Sequence, residues 1–586
     1  MNLPSNFSIL ELRKTLQYRI LEGLLGYSAI AFFVGIVLIS WISPTFASVL
    51  IIVYSFLWLL RVALVTIFTI YSYKSTRRWD SLNWDSLLEL LKSNPQKGLE
   101  ILQTFSKKYS STLDFSVKVS EDIAELSHQI ETSGKYADPS SIWQFPLFSI
   151  YNESSDVLAR SLESIYLSGY PLNKLVVFVS QEARMGDEWV AKIQSEIELL
   201  PWVACSNISE KNTEIVYSAN HATDTYTNAD IANISIESNK LNIVFVQHPD
   251  GLVGEVKGKA SNEDWAARQV SLFCKAKNID TETAIVTSLD ADSKVGTHFF
   301  HKLSFRFCVT PQRLRSGFQP VPVYSNNYFD SHVIQRLVAT QTTLWQFTQN
   351  SLDGETHFFA NYSVPLKVLQ EIDFWVREVI AEDFMVYAKC IAHYQGDFKV
   401  RPFYGVFHGD AVEADDYFEA LENQYRQLQR WSWGGVESFP YLYAKLFLTK
   451  GSEKFDLRMK ISAVYLLFSN HFFWSTAPIL FSIGVFLPAF FGGEDFRQTQ
   501  VSQNLSIFAS YYAWVSVIFI VTFGFVTISY IARMASEKLT LRHYFLIFMQ
   551  SLISPLVYGV MGIPALDSQL RGIVGNYLGY WVTPKK

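Results

Sequence analysis

The chain has 586 residues, of which 49% are hydrophobic and 15% aromatic, and its formal net charge is −6. This slightly acidic balance gives no reason to expect a nucleic-acid partner, which would require an excess of basic residues. Four cysteines form no Cys-x-x-Cys pair, so the sequence predicts neither a disulfide framework nor a zinc site and favours reduced thiols in a cytosolic domain.

The chain begins with two long uncharged tracts. No formally charged residue lies between Glu22 and Arg61. Residues 24–42 and 47–71 each supply the roughly 20 apolar residues that a helix needs to span a bilayer. Arg61, inside the second tract, has two interpretations. It packs between helices with its head group reaching toward water, or it is a polar group that lines a passage.

Residues 79–140 are polar, with leucines at helical spacing, and they predict a small helical connector. Beyond them, apolar β-branched runs alternate with helical segments. The predicted strands are 147–151, 174–180, 242–246 and 284–289, and the predicted helices are 154–168, 188–200 and 262–275. This alternation indicates a parallel sheet, whose ligands bind beyond the carboxyl ends of the strands.

The C-terminal part has three further uncharged tracts, 461–493, 498–532 and 543–566, which predict about three transmembrane or interfacial helices. Basic residues flank the tracts at Arg13, Lys14, Arg19, Lys74, Arg77, Arg78, Lys454, Arg458, Lys460, Arg533, Lys538 and Arg542. The positive-inside rule then places residues 74–460 in the cytosol. Five spans would leave the tail at 585–586 outside, so either the last tract is re-entrant or the count is wrong by one.

Two aspartates follow the strand predicted at 284–289. Asp290 and Asp292 lie one residue apart, and such a pair at a strand end can share a hard divalent cation that also binds a diphosphate. A solvated turn produces the same short pattern about as often. The pair therefore indicates a metal site only in the company of other motifs.

A loop upstream of this pair carries Lys257, Lys259 and Asn262 just ahead of a predicted helix. Two lysines around a glycine suit a diphosphate, through their charge and through the free amides of the helix N-terminus. An ordinary exposed basic loop is the alternative interpretation of these residues taken alone.

Two later stretches also carry groups suited to chemistry. Glu382-Asp383, in mostly apolar surroundings, can supply a general base for a substrate hydroxyl or can cap a helix. Gln427, Arg430 and Trp431 combine a bidentate phosphate contact with a flat stacking surface. A cation–π pair or a membrane-interface anchor is the alternative for the last two residues.

The order of these motifs resembles the membrane-type family 2 glycosyltransferases, which include cellulose, hyaluronan and chitin synthases and ceramide glucosyltransferase. The matching stretches are Pro146 through Asn152-Glu153, Gly258-Lys259-Ala260-Ser261-Asn262, Asp290 with Asp292, Glu382-Asp383, and Gln427 with Arg430 and Trp431. The resemblance covers about residues 145–440, and it extends to a bacterial subgroup to which we attach no defined product.

The resemblance implies an α/β domain of the GT-A type, Rossmann-like and cytosolic, inserted between α-helical transmembrane bundles. The implied organisation is a membrane segment with two transmembrane helices at 1–78, the connector at 79–140, the GT-A glycosyltransferase domain at 141–445 and a second membrane segment at 446–586. The location that follows is the cell (inner) membrane, crossed several times, with membrane lipid as a partner.

The resemblance also implies roles for individual residues. Asp383 would be the catalytic base, and Asp290 and Asp292 would hold Mg²⁺ or Mn²⁺. Substrate contacts would come from Asn152, Glu153, Glu182, Lys257, Lys259, Asn262, Asp290, Glu382, Gln427, Arg430 and Trp431. The family usually ends its second strand with a base-reading aspartate; Glu182 stands there in this chain, so a UDP-sugar and a GDP-sugar both remain possible donors.

The function expected from these features is that of an integral-membrane, inverting glycosyltransferase that transfers a sugar from a nucleotide-diphospho-sugar to a growing polysaccharide. The alternative is non-processive glycosylation of a membrane lipid. A transporter or scaffold that retains an inactive transferase domain is a third, weaker hypothesis, because the set of acidic residues is intact.

Overall fold

The computed structural model describes residues 3, 7–109, 116–134, 136–216, 225–354, 356–505, 507, 540–579 and 581. The helices that precede the sheet are α1 (Ile9–Leu12), α2 (Leu16–Ile42), α3 (Pro44–Asp80), α4 (Trp84–Ser93), α5 (Pro95–Tyr109) and α6 (Ser116–Ser133). Ser43 separates α2 from α3, and its hydroxyl accepts a hydrogen bond from the amide of Phe46. Pro44 takes the first helical position, where its missing N–H costs nothing.

The α/β region alternates strands and helices. Its elements are β1 (Trp143–Ile150), α7 (Ser155–Tyr166), β2 (Val176–Glu182), α8 (Asp187–Glu198), β3 (Val203–Ile208), β4 (Thr213–Val216), β5 (Thr225–Asn228), β6 (Leu241–His248), α9 (Lys259–Ala276), β7 (Ala284–Leu289), β8 (Lys294–Val295), α10 (Phe299–Val309), β9 (Ser316–Tyr324), α11 (Val333–Asn350), β10 (Tyr362–Pro365), α12 (Leu366–Glu371), α13 (Glu382–His393) and β11 (Lys399–Gly409). Each strand and helix predicted between residues 147 and 289 has its counterpart here.

Nine strands form one sheet in the order β3-β6-β2-β1-β7-β10-β9-β11-β8, and β4 pairs with β5 separately. The five strands from β3 to β7 are parallel, as predicted, but β10 runs antiparallel to both of its neighbours. Tyr362 pairs with Ser288 near the end of β7, and Pro365 pairs with Ile285 near its start. The chain therefore enters β10 at the carboxyl edge and runs back, so the predicted strands are parallel to one another but the sheet as a whole is mixed.

Both faces of the sheet are covered. In β1, Phe145 and Leu147 pack on the layer that contains α9 and α13, whereas Phe148 and Ile150 pack on the layer that contains α7 and α10. Every residue of β2 is buried for the same reason, which accounts for the continuous apolar run in its first four residues. With both faces closed, ligands can approach only at the ends of the strands.

The C-terminal helices are α14 (Tyr417–Tyr443), α15 (Leu457–Ser482), α16 (Leu487–Phe491), α17 (Gly493–Arg497) and α18 (Leu541–Val574). In the described part of the chain, α2 and α3 are long and apolar enough to cross a membrane, and α15 with the bent segment after it would make a third span. The predicted tract at 498–532 lies largely outside the described residues, and so does the tail at 585–586. The predicted count of about five spans therefore stays a prediction.

Two glycines let α2 and α18 approach each other closely. A Cβ atom at Gly26 would lie 2.5 Å from the carbonyl oxygen of Gln569, and one at Gly572 would lie 3.1 Å from that of Glu22. Small residues at such crossings are typical of helices that pack in a membrane. The contact brings α18 beside α14, which carries Gln427, Arg430 and Trp431.

Candidate active site

The carboxyl ends of β1 and β7 open into a cavity of about 420 Å³. Most of the residues singled out in the sequence line it together. They are Glu153, Lys259, Asp290, Asp292, Glu382, Asp383, Gln427, Arg430 and Trp431. These residues come from five separate stretches of the chain, and the fold brings them to one edge of the sheet.

Asp290 and Asp292 are held by the strands and loops beside them. The amide of Asp290 donates to Asn361 Oδ1 at 2.9 Å, and Asp292 Oδ2 accepts from the amide of Asp410 at 3.2 Å. The Asp290 side chain is 38% exposed, whereas Asp292 is 8% exposed. Asp290 therefore presents an accessible carboxylate to the cavity, whereas Asp292 is held in place and is almost fully buried.

Lys259 is the first residue of α9, and it lies among three acidic side chains. Its Nζ is 2.8 Å from Asp290 Oδ1, 2.8 Å from Glu382 Oε1 and 3.7 Å from Glu263 Oε1. Burial alone would lower the pKa of Lys259, but these carboxylates raise it well above its ordinary value. Burial raises the pKa of Glu263 to about 8, against the lowering effect of Lys259. The cluster is therefore short of positive charge.

Asp383 is the second residue of α13. Its Oδ2 accepts from the amide of Ala360 at 3.0 Å, and its Oδ1 accepts from the amide of Phe384 at 2.7 Å. Burial and the neighbouring charge of Glu382 raise the pKa of Asp383 to about 7. Ala381 occupies the N-cap position of α13, so Glu382 does not cap the helix. A buried carboxyl that titrates near neutrality has the properties of a general base.

A buried carboxylate anchors the start of α13. Glu437 Oε2, on α14, accepts from the amides of Ile380 and Ala381 at 3.0 and 3.1 Å. Glu437 Oε1 accepts from Arg13 Nη2 at 3.2 Å, and Arg13 Nε donates to Glu22 Oε1 at 2.8 Å. The N-terminal helices are thus connected by hydrogen bonds to the segment that presents Asp383.

Gln427, Arg430 and Trp431 lie on one face of α14, because residues three and four positions apart meet on the same side of a helix. All three face the cavity. Gln427 Oε1 accepts from Gln424 Nε2 at 2.9 Å, which orients the amide. The guanidinium and indole groups therefore share the cavity with the carboxylates of the sheet edge.

Asn152 and Asn262 do not line this cavity. Asn152 is exposed, and its backbone amide donates to Glu153 Oε2 at 3.2 Å. Asn262 is buried, and its side-chain amide bonds to the hydroxyl and carbonyl groups of Ser180. Its visible role is to connect α9 to β2.

Glu182 and Lys257 line a separate, smaller cavity of about 40 Å³. Glu182 is buried and pairs with Arg184, whose guanidinium lies 3.9 Å from the ring centre of Tyr151. Lys257 is exposed and pairs with Asp250 at 2.7 Å. The carboxylate expected to read the donor base is thus engaged in an ion pair with Arg184.

The sequence analysis missed several residues of the larger cavity. Asp410 follows β11, and its Oδ1 accepts from Asn326 Nδ2 at 2.8 Å. The rule that ligand-binding residues follow strands would have found it, had β11 been predicted. His357 and His471 also line the cavity, but no local pattern distinguishes them from ordinary core histidines.

The carboxylates at this edge fit a hard divalent cation. Asp290 and Asp292 offer only oxygen ligands, which Mg²⁺ and Mn²⁺ prefer, and the acidic excess around Lys259 favours an added cation. A second group, Asp85 with His298 and His301, places one ligand atom from each residue within 4.8 Å of the others. It lies away from the cavity, between α4 and α10, so it does not serve the carboxylates described above.

Comparison with known proteins bears on this site. Residues 285–527 match the family model described as glycosyl transferase family group 2, and no curated protein matches the chain. The chain is similar to the mannosyltransferase PcManGT from Pyrobaculum calidifontis in complex with GDP-Man and Mn²⁺, at 11% identity over 82% of this chain and 100% of that one, with a TM-score of 0.37. S. aureus TarS 1-349 in complex with UDP-GlcNAc gives 11% identity, 74% and 91% coverage, and a TM-score of 0.31.

The region matched by the family model contains Asp290, Asp292, Asp383 and Arg430, and it supplies the antiparallel β10 of the mixed sheet. The fold is accordingly a GT-A-like glycosyltransferase fold with a mixed central sheet. Residues 285–527 thus match the family 2 glycosyltransferases, and the enzyme is a glycosyltransferase.

Proposed function

We propose that this enzyme is an integral-membrane, inverting glycosyltransferase that transfers a sugar from a nucleotide-diphospho-sugar to a growing polysaccharide. The observation that carries the proposal is the cavity itself, because its lining unites Asp290 and Asp383 with side chains of α3 and α15. An acceptor that enters beside these helices can reach the carboxylates of the sheet edge. The match to family 2 glycosyltransferases supports the reaction class.

The proposed reaction is a single displacement. Asp383 takes the proton of an acceptor hydroxyl while that oxygen bonds to the anomeric carbon of the donor sugar. The bond from this carbon to the diphosphate oxygen breaks at the same time, so the configuration inverts. Mg²⁺ or Mn²⁺, held by Asp290 and Asp292, would neutralise charge on the diphosphate when bound.

Other residues of the cavity position the substrates and stabilise the charge of the leaving group. Lys259 and Arg430 are the cations placed to stabilise the leaving diphosphate. Trp431 offers a flat face for a sugar ring. Rate enhancement in such a site depends on orientation and preorganised charge, since the protein forms no covalent bond to the substrate.

Two features support a saccharide acceptor over a lipid tail. The inner part of the cavity is lined by aromatic rings, among them Trp345, Phe359 and Trp474, and these rings stack on sugars. Amide groups, including those of Gln341 and Asn470, and imidazole groups line the same cavity. The alternative, one sugar transferred to a membrane lipid, is favoured by the position of the cavity beside α3, which a lipid could reach laterally.

We further propose the organisation that the sequence implied, in which the GT-A domain at 141–445 lies between membrane segments at 1–78 and 446–586 and faces the cytosol. A multi-pass location in the cell (inner) membrane follows from it. The apolar lengths of α2 and α3 support the first membrane segment.

The test is a donor screen with the purified full-length protein. UDP- and GDP-sugars are each supplied with Mg²⁺ or Mn²⁺, nucleotide diphosphate release is measured, and labelled products are separated by size. Long products support the polysaccharide synthase, and a single-sugar lipid product would replace it with the alternative. Unchanged cellular function after Asp383→Asn and Asp292→Ala would instead favour a scaffold with an inactive domain.

A further inference from the structure

The cavity continues beyond the catalytic carboxylates. Side chains from α3, α11 and α15 line its far part, including Trp58, Arg61, Trp345, His471 and Phe473. Helix α3 is one of the two described helices that are long and apolar enough to cross a membrane. The far part of the cavity is thus bounded by residues 44–73 of α3, an apolar stretch that contains one cation.

Arg61 is that cation, and its surroundings do not neutralise it. Its guanidinium carbon lies 5.5 Å from the ring centre of Trp58 and 5.3 Å from that of Phe473. No acidic side chain pairs with Arg61 anywhere in the described ranges of the chain. Aromatic faces attract a cation but carry no net charge. A charged group within an apolar helix, facing a cavity, therefore requires an anion from elsewhere.

His471 lines the same cavity as Arg61 and lies beside the segment of the catalytic base. Its residue is 2% exposed, and both ring nitrogens are buried without a hydrogen-bond partner in the described structure. Its ring centre is 5.3 Å from that of Phe384, the residue that follows Asp383. Buried polar atoms are almost always satisfied, so an unsatisfied imidazole on a cavity wall marks a place where a ligand supplies the partner.

Neighbouring residues of α15 contact both the segment of the base and Arg61. His471 lies beside Phe384 and the base, while Phe473, two residues further on, contacts Arg61. Asn470 Nδ2 lies 3.4 Å from His357 Nε2 on the same wall. The cavity that contains Asp383 thus offers a ligand both neutral hydrogen-bonding groups and one cation that no described carboxylate pairs with.

We propose that the acceptor carries an oxyanion, and that Arg61 binds this oxyanion while a hydroxyl of the same acceptor reaches Asp383. The proposal rests on the proposed glycosyltransferase function and adds the charge of the acceptor to it. The oxyanion has two chemical sources, the phosphate of a lipid-linked acceptor or the carboxylate of an acidic sugar. Both present two oxygens on one atom, which a guanidinium binds through two parallel hydrogen bonds.

The test measures binding to the full-length protein in detergent, with the nucleotide diphosphate product and Mn²⁺ present so that the donor site is filled. The probes are farnesyl phosphate against farnesol, and a disaccharide ending in glucuronic acid against one ending in glucose. The variants are Arg61→Gln and Arg61→Lys. Arg77→Gln is the matched control, because Arg77 is an exposed arginine on the same helix and outside the cavity.

We expect one oxyanion probe to bind the wild type at least tenfold more tightly than its neutral counterpart. Arg61→Gln should abolish that preference, Arg61→Lys should retain part of it, and Arg77→Gln should leave it unchanged. Preference for farnesyl phosphate identifies a lipid phosphate, and preference for the glucuronide identifies an acidic glycan. No preference in the wild type, or a preference that survives Arg61→Gln, overturns the proposal.

The two proposals fail in different ways. If every donor gives no nucleotide diphosphate release, the proposed transferase function fails, while the comparison of charged and neutral probes remains measurable. If release is normal but the charged and neutral probes bind equally, only the anionic subsite fails. A misfolded variant is recognised by its size-exclusion profile, and the Arg61→Lys protein then carries the comparison.

Discussion

Two buried charge clusters in the α/β region are built with opposite balances. In one, Arg306 contacts Asp122 at 2.8 Å and Asp353 at 3.0 Å, and Arg401 contacts the same two aspartates at 3.7 and 3.0 Å. Two cations thus face two anions, and they connect α6, α10 and β11. In the other cluster, Lys259 alone faces three carboxylates at the cavity.

The difference separates a structural from a chemical use of buried charge. A balanced set of ion pairs needs nothing further, and its value appears when one partner is removed. An acid-rich set also contains unfavourable repulsion. Burial raises the pKa of Glu263 to about 8 and that of Asp383 to about 7, and the repulsion from Glu382 adds to both rises. A proton or a metal cation relieves that repulsion. An excess of acidic groups therefore suits a site that binds a metal–diphosphate and accepts a proton.

Among substitutions that test this difference between the two clusters, Asp383→Asn is expected to have the largest effect, on the rate of transfer. Loss of a general base lowers the rate by about 10²–10⁴-fold. The fold should not suffer at pH 8, because a carboxyl with a raised folded-state pKa contributes stability at low pH and loses it as the pH rises through about 7. Nucleotide diphosphate release and the melting temperature, measured on one preparation, check both parts. A variant that transfers sugar at the wild-type rate would remove Asp383 from the mechanism.

The balanced cluster should respond in the opposite way. Asp353 and Arg306 have fully buried side chains, so Asp353→Asn leaves two guanidinium groups with half of their negative partners. Breaking a buried ion pair costs about 3–5 kcal/mol of folding free energy. Thermal unfolding in detergent should show a clear drop, while the rate per folded molecule stays near the wild type. Equal stability of Asp353→Asn and Asp383→Asn would abolish the distinction between the clusters.

These contrasts also show what the sequence could reveal. Asp290, Asp292 and the strand before them were predictable, because a buried strand has an apolar β-branched run and the chain must leave it at the ligand-binding edge. The antiparallel β10 was not predictable, since its four residues carry no pattern that fixes direction. Burial of Asn262 against Ser180 depends on the contact between α9 and β2, which no local spacing encodes.

The far part of the cavity could not be predicted from the sequence either. Arg61 was noticeable as the one charge in a long apolar tract, and both of its interpretations were open until the helices were packed. His471 gave no signal at all, because a histidine in an apolar helix resembles an ordinary core residue. Its meaning depends on the absence of a hydrogen-bond partner among the described residues, which only three-dimensional packing can determine.

A smaller effect, on the pH profile, tests the repulsion itself. Because Asp383 accepts a proton only when ionised, kcat/KM should fall as the pH drops through about 7. Burial is the main cause of the raised pKa of Asp383, and the charge of Glu382 adds to it. Glu382→Gln should therefore move the acidic limb to lower pH without abolishing it. A limb that stays in place in this variant would show that Glu382 does not influence the base.

The smallest effect is expected from a substitution of Glu437, which is part of a neutral ion pair and also supports the catalytic helix. This carboxylate is neutralised by Arg13, yet it also fixes the amides of Ile380 and Ala381 just before the catalytic helix. Glu437→Gln keeps an oxygen for those amides and loses the charge. If the weaker support costs the transition state the energy of one hydrogen bond, about 0.5–1.5 kcal/mol, kcat should fall by roughly 2–10-fold. Donor KM should stay constant, because Glu437 does not line the cavity.

The matched control for Glu437 is Glu422→Gln. Glu422 lies on the same helix in an exposed pair with Arg426, and pairs of that kind contribute little. A lower kcat in Glu437→Gln, with an unchanged Glu422→Gln, means that the N-terminal helices help to hold the base in place through Arg13. A change confined to the melting temperature would instead assign Glu437 to the balanced, structural class, and the orientation of Asp383 would then depend on the amides of Ala360 and Phe384 alone.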